Sequence, residues 1–135
     1  VPSPRRHRSQ LSVALLVLQV VAAVLHVTPS LVYPTRPITA RIVLYISHLG
    51  PVWVLAFGLT SIALAVTYWA ARYLDYAHLA AAGVWVMYSS SLWIGALAQS
   101  PRGTVLFPCV ATALVAVHTI IAASYSDAAG QEARR

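Results

Sequence analysis

The sequence predicts an all-α integral membrane protein, a four-helix bundle with both termini in the cytoplasm. Three observations predict it. Of the 135 residues, 59% are hydrophobic and only 9% charged, a balance unlike that of a water-soluble domain of this length. The long apolar stretches carry no Asp, Glu, Lys or Arg and are apolar all the way round, with no polar stripe to face water. The Arg residues gather in the segments between and outside those stretches.

Residues 1–10 read as a basic leader, with Arg5, Arg6 and Arg8 around His7. The first apolar run, 11–27, rises about 26 Å as a helix, enough for a thin or locally adjusted bilayer. A charged leader before an apolar run also describes a signal peptide. This run is longer than a usual signal core and no small-x-small cleavage pattern follows it, so the expectation is a retained span with an intact cytoplasmic leader. From Thr28 to Arg41, Pro29, Pro34 and Pro37 forbid a continuous helix and mark an extramembrane connection.

Residues 42–49 are apolar but short, and Gly50-Pro51 interrupts the pattern before the second span, 51–71. A single helix over both would exceed about 40 Å, so 42–49 is expected as a short interfacial helix and Pro51 as a first-turn residue of the span. Arg72, Tyr73, Asp75 and Tyr76 form a connection short enough to require an antiparallel hairpin. The third span is 77–98, Ser100-Pro101-Arg102-Gly103 is a tight turn, and the fourth span is 105–124. A polar tail, 125–135, completes the chain. Together 11–124 make one transmembrane domain.

Arg5, Arg6, Arg8, Arg72, Arg134 and Arg135 fall on one side of this arrangement, and Arg36, Arg41 and Arg102 on the other. The positive-inside rule therefore puts both termini in the cytoplasm of a cell whose plasma membrane holds the chain. Tyr45 and Trp53 read as outer-edge aromatics. Tyr68, Trp69, Tyr73, Tyr76 and Tyr125 read as inner-edge ones.

The net charge of +6 does not indicate nucleic acid, because the Arg residues form short clusters without a continuous basic face. The expected partner is the lipid bilayer. Cys109 is the only cysteine, so neither an intrachain disulfide nor a cysteine metal cage is available. The acids Asp75, Asp127 and Glu132 all fall in connections or the tail. With no carboxylate in a span, no phosphate-binding glycine loop and no His-Glu-x-x-His helix, no catalytic or metal site is expected, and the chain reads as non-enzymatic.

Histidine is the remaining chemistry. His26 and His48 fall near the outer face, His78 and His118 in the inner part, which makes two depth-matched pairs. Paired axial ligands on facing helices are what a b-type haem requires, so a haem-binding electron-transfer bundle is the alternative to a chain without cofactor. Otherwise His26, His48 and His78 are interfacial side chains with one wet end, and His118 bonds a neighbouring helix. Uncharged polar residues supply candidates for interhelical hydrogen bonds: Gln19, Thr60, Ser61, Thr67, Ser89, Ser90, Ser91, Thr112 and Thr119. Trp85, deep in the third span, is expected to bond near Ser89 and fill core volume. Small residues at helical spacing, Ala56, Thr60, Ala63, Thr67 and Ala71 on the second span and Ser91 and Gly95 on the third, permit close helix approach within one chain or between copies. Thr112 with Ala116, and Thr119 with Ala123, do the same on the fourth.

Ala-His78, Trp85-x-x-Tyr88, Leu92-Trp93, Ser-Pro101-x-Gly103, Phe107-Pro108 and His118 resemble small multi-span membrane proteins of actinobacterial phages and their hosts. The likeness covers roughly the last two thirds of the chain. It implies a holin-like protein, one that self-assembles as a homo-oligomer to permeabilise the inner membrane. Apart from the resemblance, an accessory subunit of a membrane complex, whose partner supplies the chemistry, is the other alternative.

Overall fold

The computed structural model describes residues 4–27, 40–98 and 105–132. Within them lie five helices: α1 (Pro4–Val27), α2 (Arg41–Leu49), α3 (Val52–Ala70), α4 (Leu74–Leu97) and α5 (Leu106–Glu132). Four of these, α1, α3, α4 and α5, are long and apolar enough to cross a membrane. The proline-rich connection expected over 28–39 and the turn expected from Ser100 to Gly103 lie outside the described residues.

Sequence punctuation explains where the helices stop. Gly50 has φ 152° and ψ −179°, a conformation open only to glycine, and it lets α2 end before α3 begins at Val52. Pro51 takes the N-cap position of α3, where its missing N–H costs nothing. At the other end of α3 the chain reverses through left-handed Ala71 and Tyr73, and the N–H groups of Ala71 and Arg72 cap the carbonyls of Tyr68 and Thr67. Helix α4 starts at Leu74, so Asp75 and Tyr76 belong to its first turn instead of to the connection. An acid there faces the positive end of the helix dipole. Both outer helices also run past the expected span edges, α1 from Pro4 and α5 through Glu132, since neither flank holds an interior proline to stop them.

The long helices alternate in direction and pack in the order α1, α3, α4, α5, with the most extensive interface between α4 and α5 and only slight contact closing α5 back onto α1. The short α2 leans on α3 and α4. The main core lies in the half of the bundle near α2. There Tyr88 meets the rings of Trp53, Phe57 and Trp85 edge-on, with centroids 5.1, 5.5 and 5.7 Å away. Trp53 is the correction here: expected as an outer-edge aromatic, it is 2% exposed and donates Nε1–H to the Val43 carbonyl at 3.1 Å, tying α3 to α2. Tyr45, Trp69, Tyr73 and Tyr76 are exposed, as belt residues need to be.

The exterior is the inverse of a soluble protein. Val17 and Val24 on α1, Leu59 and Ile62 on α3, Met87 and Ile94 on α4, and Val110 and Ile120 on α5 all stand exposed. Water would make such a continuous apolar surface aggregate, whereas lipid makes it unremarkable.

Polar residues turn inward and bond across helices. Trp85 Nε1–H donates to Gln19 Oε1 at 2.8 Å, Gln19 Nε2 donates to Thr60 Oγ1 at 2.6 Å, and Thr60 passes its own proton to the Ala56 carbonyl at 2.8 Å. One fully buried amide thus joins α1, α3 and α4. The partner of Trp85 is Gln19, not Ser89. A second tie holds α4 to α5: Thr112 Oγ1 lies 2.7 Å from Ser89 Oγ, accepts from Trp93 Nε1 at 3.0 Å and donates to the Pro108 carbonyl at 2.8 Å. Ser61, Thr67, Ser91 and Thr119 instead return their hydroxyls to the carbonyl four residues back on their own helix.

Replacing Gln19 by Leu is expected to cost about 1 kcal/mol or somewhat more, because it orphans the Trp85 indole N–H in the core. Unfolding of purified protein in mixed detergent micelles measures it. Val20→Leu, at an exposed site on the same helix, serves as the neutral control.

Candidate functional site

The inward face of α1 carries Ser12, Gln19 and His26 at seven-residue intervals, two helical turns apart and about 10 Å in rise. All three are buried, at 3%, 0% and 7% exposed. They divide the interior into three polar levels. The middle level is the Gln19 tie, and the other two hold the histidines.

At the level near the start of α1, His78 from the second turn of α4 meets His118 of α5, with Nδ1 to Nδ1 at 3.0 Å and ring centroids 5.2 Å apart. Both rings are 0% exposed. Ser12 Oγ lies 3.2 Å from the other nitrogen of His78, Nε2, and 3.0 Å from the hydroxyl of Tyr125. Tyr125 sits two turns beyond His118 on the same side of α5 and stacks on the His78 ring, 6.1 Å between centroids and 12° between planes. The result is an unbroken line of hydrogen bonds, Tyr125, Ser12, His78, His118, joining α5, α1 and α4. His118 Nε2 has no hydrogen-bond partner among the described residues.

At the opposite level His26 is buried beside Phe57 and Tyr88, with centroids at 5.5 and 5.3 Å, and its Nδ1 bonds the Ala22 carbonyl at 2.7 Å. A cavity of about 300 Å³ opens beside it, lined by His26, Val27, Ser47, Gly50, Pro51, Trp53 and Val54. His48 stands exposed on α2. Of the two depth-matched pairs, then, the fold brings His78 and His118 into contact and leaves His26 and His48 in different surroundings. Neither His26 nor His78 is an interfacial side chain with a wet end, because both are enclosed.

The contacting pair does not fit a haem. Iron between two axial imidazoles needs the ligating nitrogens about 4 Å apart, twice a metal–imidazole bond of about 2 Å, with a flat slot for the macrocycle. The facing nitrogens are 3.0 Å apart and bonded to each other, and the remaining nitrogen of His78 is turned to Ser12. Among the described residues no group of three or more His, Cys, Asp or Glu is assembled for a metal ion. Cys109 is exposed.

The small residues separate by face. Thr60 is buried against Gln19, and Ala63 packs on the Leu64, Ala77 and Ala81 cluster, with Ala56 and Thr67 half-buried alongside. Ala71 is exposed and lies past the end of α3. Ser91 and Gly95 are buried in α4. Thr112, Ala116, Thr119 and Ala123 of α5 form a stripe at spacings of four, three and four residues whose members are all exposed.

Ser12 is not among the residues that the sequence marks, and Tyr125 is expected only as an inner-edge aromatic. The Ser12, Gln19, His26 interval marks one face of α1 and is the signal for Ser12, whereas the bond from Tyr125 to α1 has no local signal. An all-helical bundle with an apolar exterior, a neutral polar interior and four helices long and apolar enough to cross a membrane points to the class of helical membrane proteins. No family model, curated protein or solved structure matches the chain.

Protein purified from haem-replete cells is expected to lack a stoichiometric Soret band. A band that His78→Ala or His118→Ala abolished would restore the haem reading.

Proposed function

We propose that the chain is a non-enzymatic multi-pass protein of the plasma membrane, with both termini cytoplasmic, that works by helix association, and that its activity is holin-like permeabilisation by assembled copies. The observation that carries this reading is the distribution of polarity. Among the described residues Arg41, Arg72 and Asp127 are exposed, Asp75 is only half-buried at a helix start, and the buried polar side chains are amide, hydroxyl, indole and imidazole groups. Such an interior supports packing, not the carboxylate chemistry of a pump or hydrolase.

Two features support the finer parts of the proposal. Ser12 bonds Tyr125, so the start of α1 and the end of α5 share one end of the bundle, and Arg72 in the α3–α4 turn lies at that same end. Arg5, Arg6 and Arg8 precede that end of α1 in sequence and Arg134 and Arg135 follow α5, an asymmetry that supports a cytoplasmic face there under the positive-inside rule. Ala116, Thr119 and Ala123 are small residues that the fold leaves outward on α5, whereas Thr112 is tied to Ser89 and Trp93 of α4 and the α3 set of Ala56, Thr60, Ala63 and Thr67 is engaged within the chain. Close backbone approach along small residues is the main attraction available between helices in lipid.

A reporter active only in the periplasm, fused after Arg135, is expected to be silent; strong activity would refute the cytoplasmic C-terminus. Induced expression in a bacterial host is expected to arrest growth and release small solutes. Ala116→Leu should weaken self-association about tenfold and abolish the arrest, while Ala63→Leu should lower fold stability because it overpacks the interior. If the wild-type protein accumulates in the membrane without leakage, permeabilisation is wrong and the outward stripe serves a different membrane partner.

A further inference from the structure

We infer that His78 and His118, with Ser12 and Tyr125, form a buried binding site for a single proton shared between the two imidazoles. The inference is independent of whether copies of the chain permeabilise membranes.

The hydrogen-bond line admits two directions of equal proton content. In one, Tyr125 O–H donates to Ser12 Oγ, Ser12 donates to His78 Nε2, His78 Nδ1–H donates to His118 Nδ1, and His118 keeps its proton on Nε2. In the other, His118 Nδ1–H donates to His78, His78 Nε2–H donates to Ser12, and Ser12 donates to Tyr125. The second leaves a bare lone pair on His118 Nε2, the buried nitrogen without a partner.

One added proton fits this line with every bond kept. His78 then carries protons on both nitrogens, giving one to His118 Nδ1 at 3.0 Å and the other to Ser12 Oγ at 3.2 Å, and Ser12 turns its hydroxyl to Tyr125. Both bonds of the imidazolium become charge-assisted, which binds α1 and α5 more tightly to α4. A second proton does not fit. It would set two N–H groups and two positive charges against each other at 3.0 Å in a site neither ring shares with water.

The surroundings leave this balance to the cluster itself. The described side chains of α1 bring no charged group, and their one titratable residue, His26, is at the other end. Helix α3 contributes no charged residue and only Tyr68, α2 places Arg41, Tyr45 and His48 at the far end, α4 has Asp75 and Tyr76 a turn before His78, and α5 has Tyr125 itself, exposed Asp127 and, at its far end, Cys109. Tyr125 is the half-buried member of the line and therefore the side from which a proton arrives. In the other direction Phe57, Trp53, Trp85 and Tyr88 fill the bundle, so the site is an end point and not a conduit.

Nitrogen NMR of full-length protein labelled with 15N-histidine in lipid nanodiscs tests this between about pH 8 and about pH 4. The expected result is one proton taken up by the pair, with the resonances of His78 and His118 moving together and the two rings never both doubly protonated. Ser12→Ala, which removes one acceptor and little volume, is expected to shift the uptake about one pH unit more acidic. Two imidazoles that stay neutral throughout, or that each take a proton independently, would overturn the assignment, and an unchanged midpoint in Ser12→Ala would remove Ser12 from the site.

Discussion

The structure depends on one constraint: an interior closed off by apolar helices gives a polar side chain no water to bond, so each must find its partner inside the bundle. Gln19 shows how far that reaches. Its amide is fully enclosed and has both a donor and an acceptor end to satisfy; Trp85 from α4 meets one and Thr60 from α3 the other. A Leu at this position would pack nearly as well but would leave α1 free to rotate or slide against its neighbours. The hydrogen bonds select the register that dispersion contacts leave open.

Helix α4 is the element on which that register is set. It touches α2, α3 and α5, and its inward side is built from Ala77, Ala81, Ala82, Ser91, Gly95 and Ala96, small enough for close approach along most of its length. Between those small residues stand His78, Trp85 and Tyr88, one for each polar level contributed by α1. Large side chains thus reach across to α1, while Ala77 and Ala81 pack against Ala63 and Leu64 of α3. Small residues set the close contacts of this helix, and long polar-tipped ones make its bonds to α1 and α5.

The same division gives the molecule its chemistry. Hydroxyl, amide, indole and imidazole groups can be enclosed at low cost when paired, whereas a carboxylate or guanidinium cannot. Among the described residues a neutral polar interior therefore holds the fold together, and the outward surface is apolar. His118 keeps capacity for one more bond, since Nε2 of its completely buried ring has no partner among the described residues. That capacity sets the His78 and His118 level apart from the middle level, where Gln19, Trp85 and Thr60 are paired with one another.

Local properties of the sequence determined the four apolar helices, the breaks at Gly50-Pro51 and Arg72, and the exposed aromatics Trp69, Tyr73 and Tyr76, because length, hydropathy and turn chemistry act over a few residues. The sequence also placed His78 and His118 at one depth, since rise along antiparallel helices is simple arithmetic. Only the tertiary structure decided rotation about each helix axis. A helix apolar on every side has no moment to say which face turns inward, so the inward turn of Thr60 and Ala63, the outward turn of Ala116, Thr119 and Ala123, the burial of Trp53, and the meeting of Ser12 with Tyr125 across 113 positions of sequence came from packing alone.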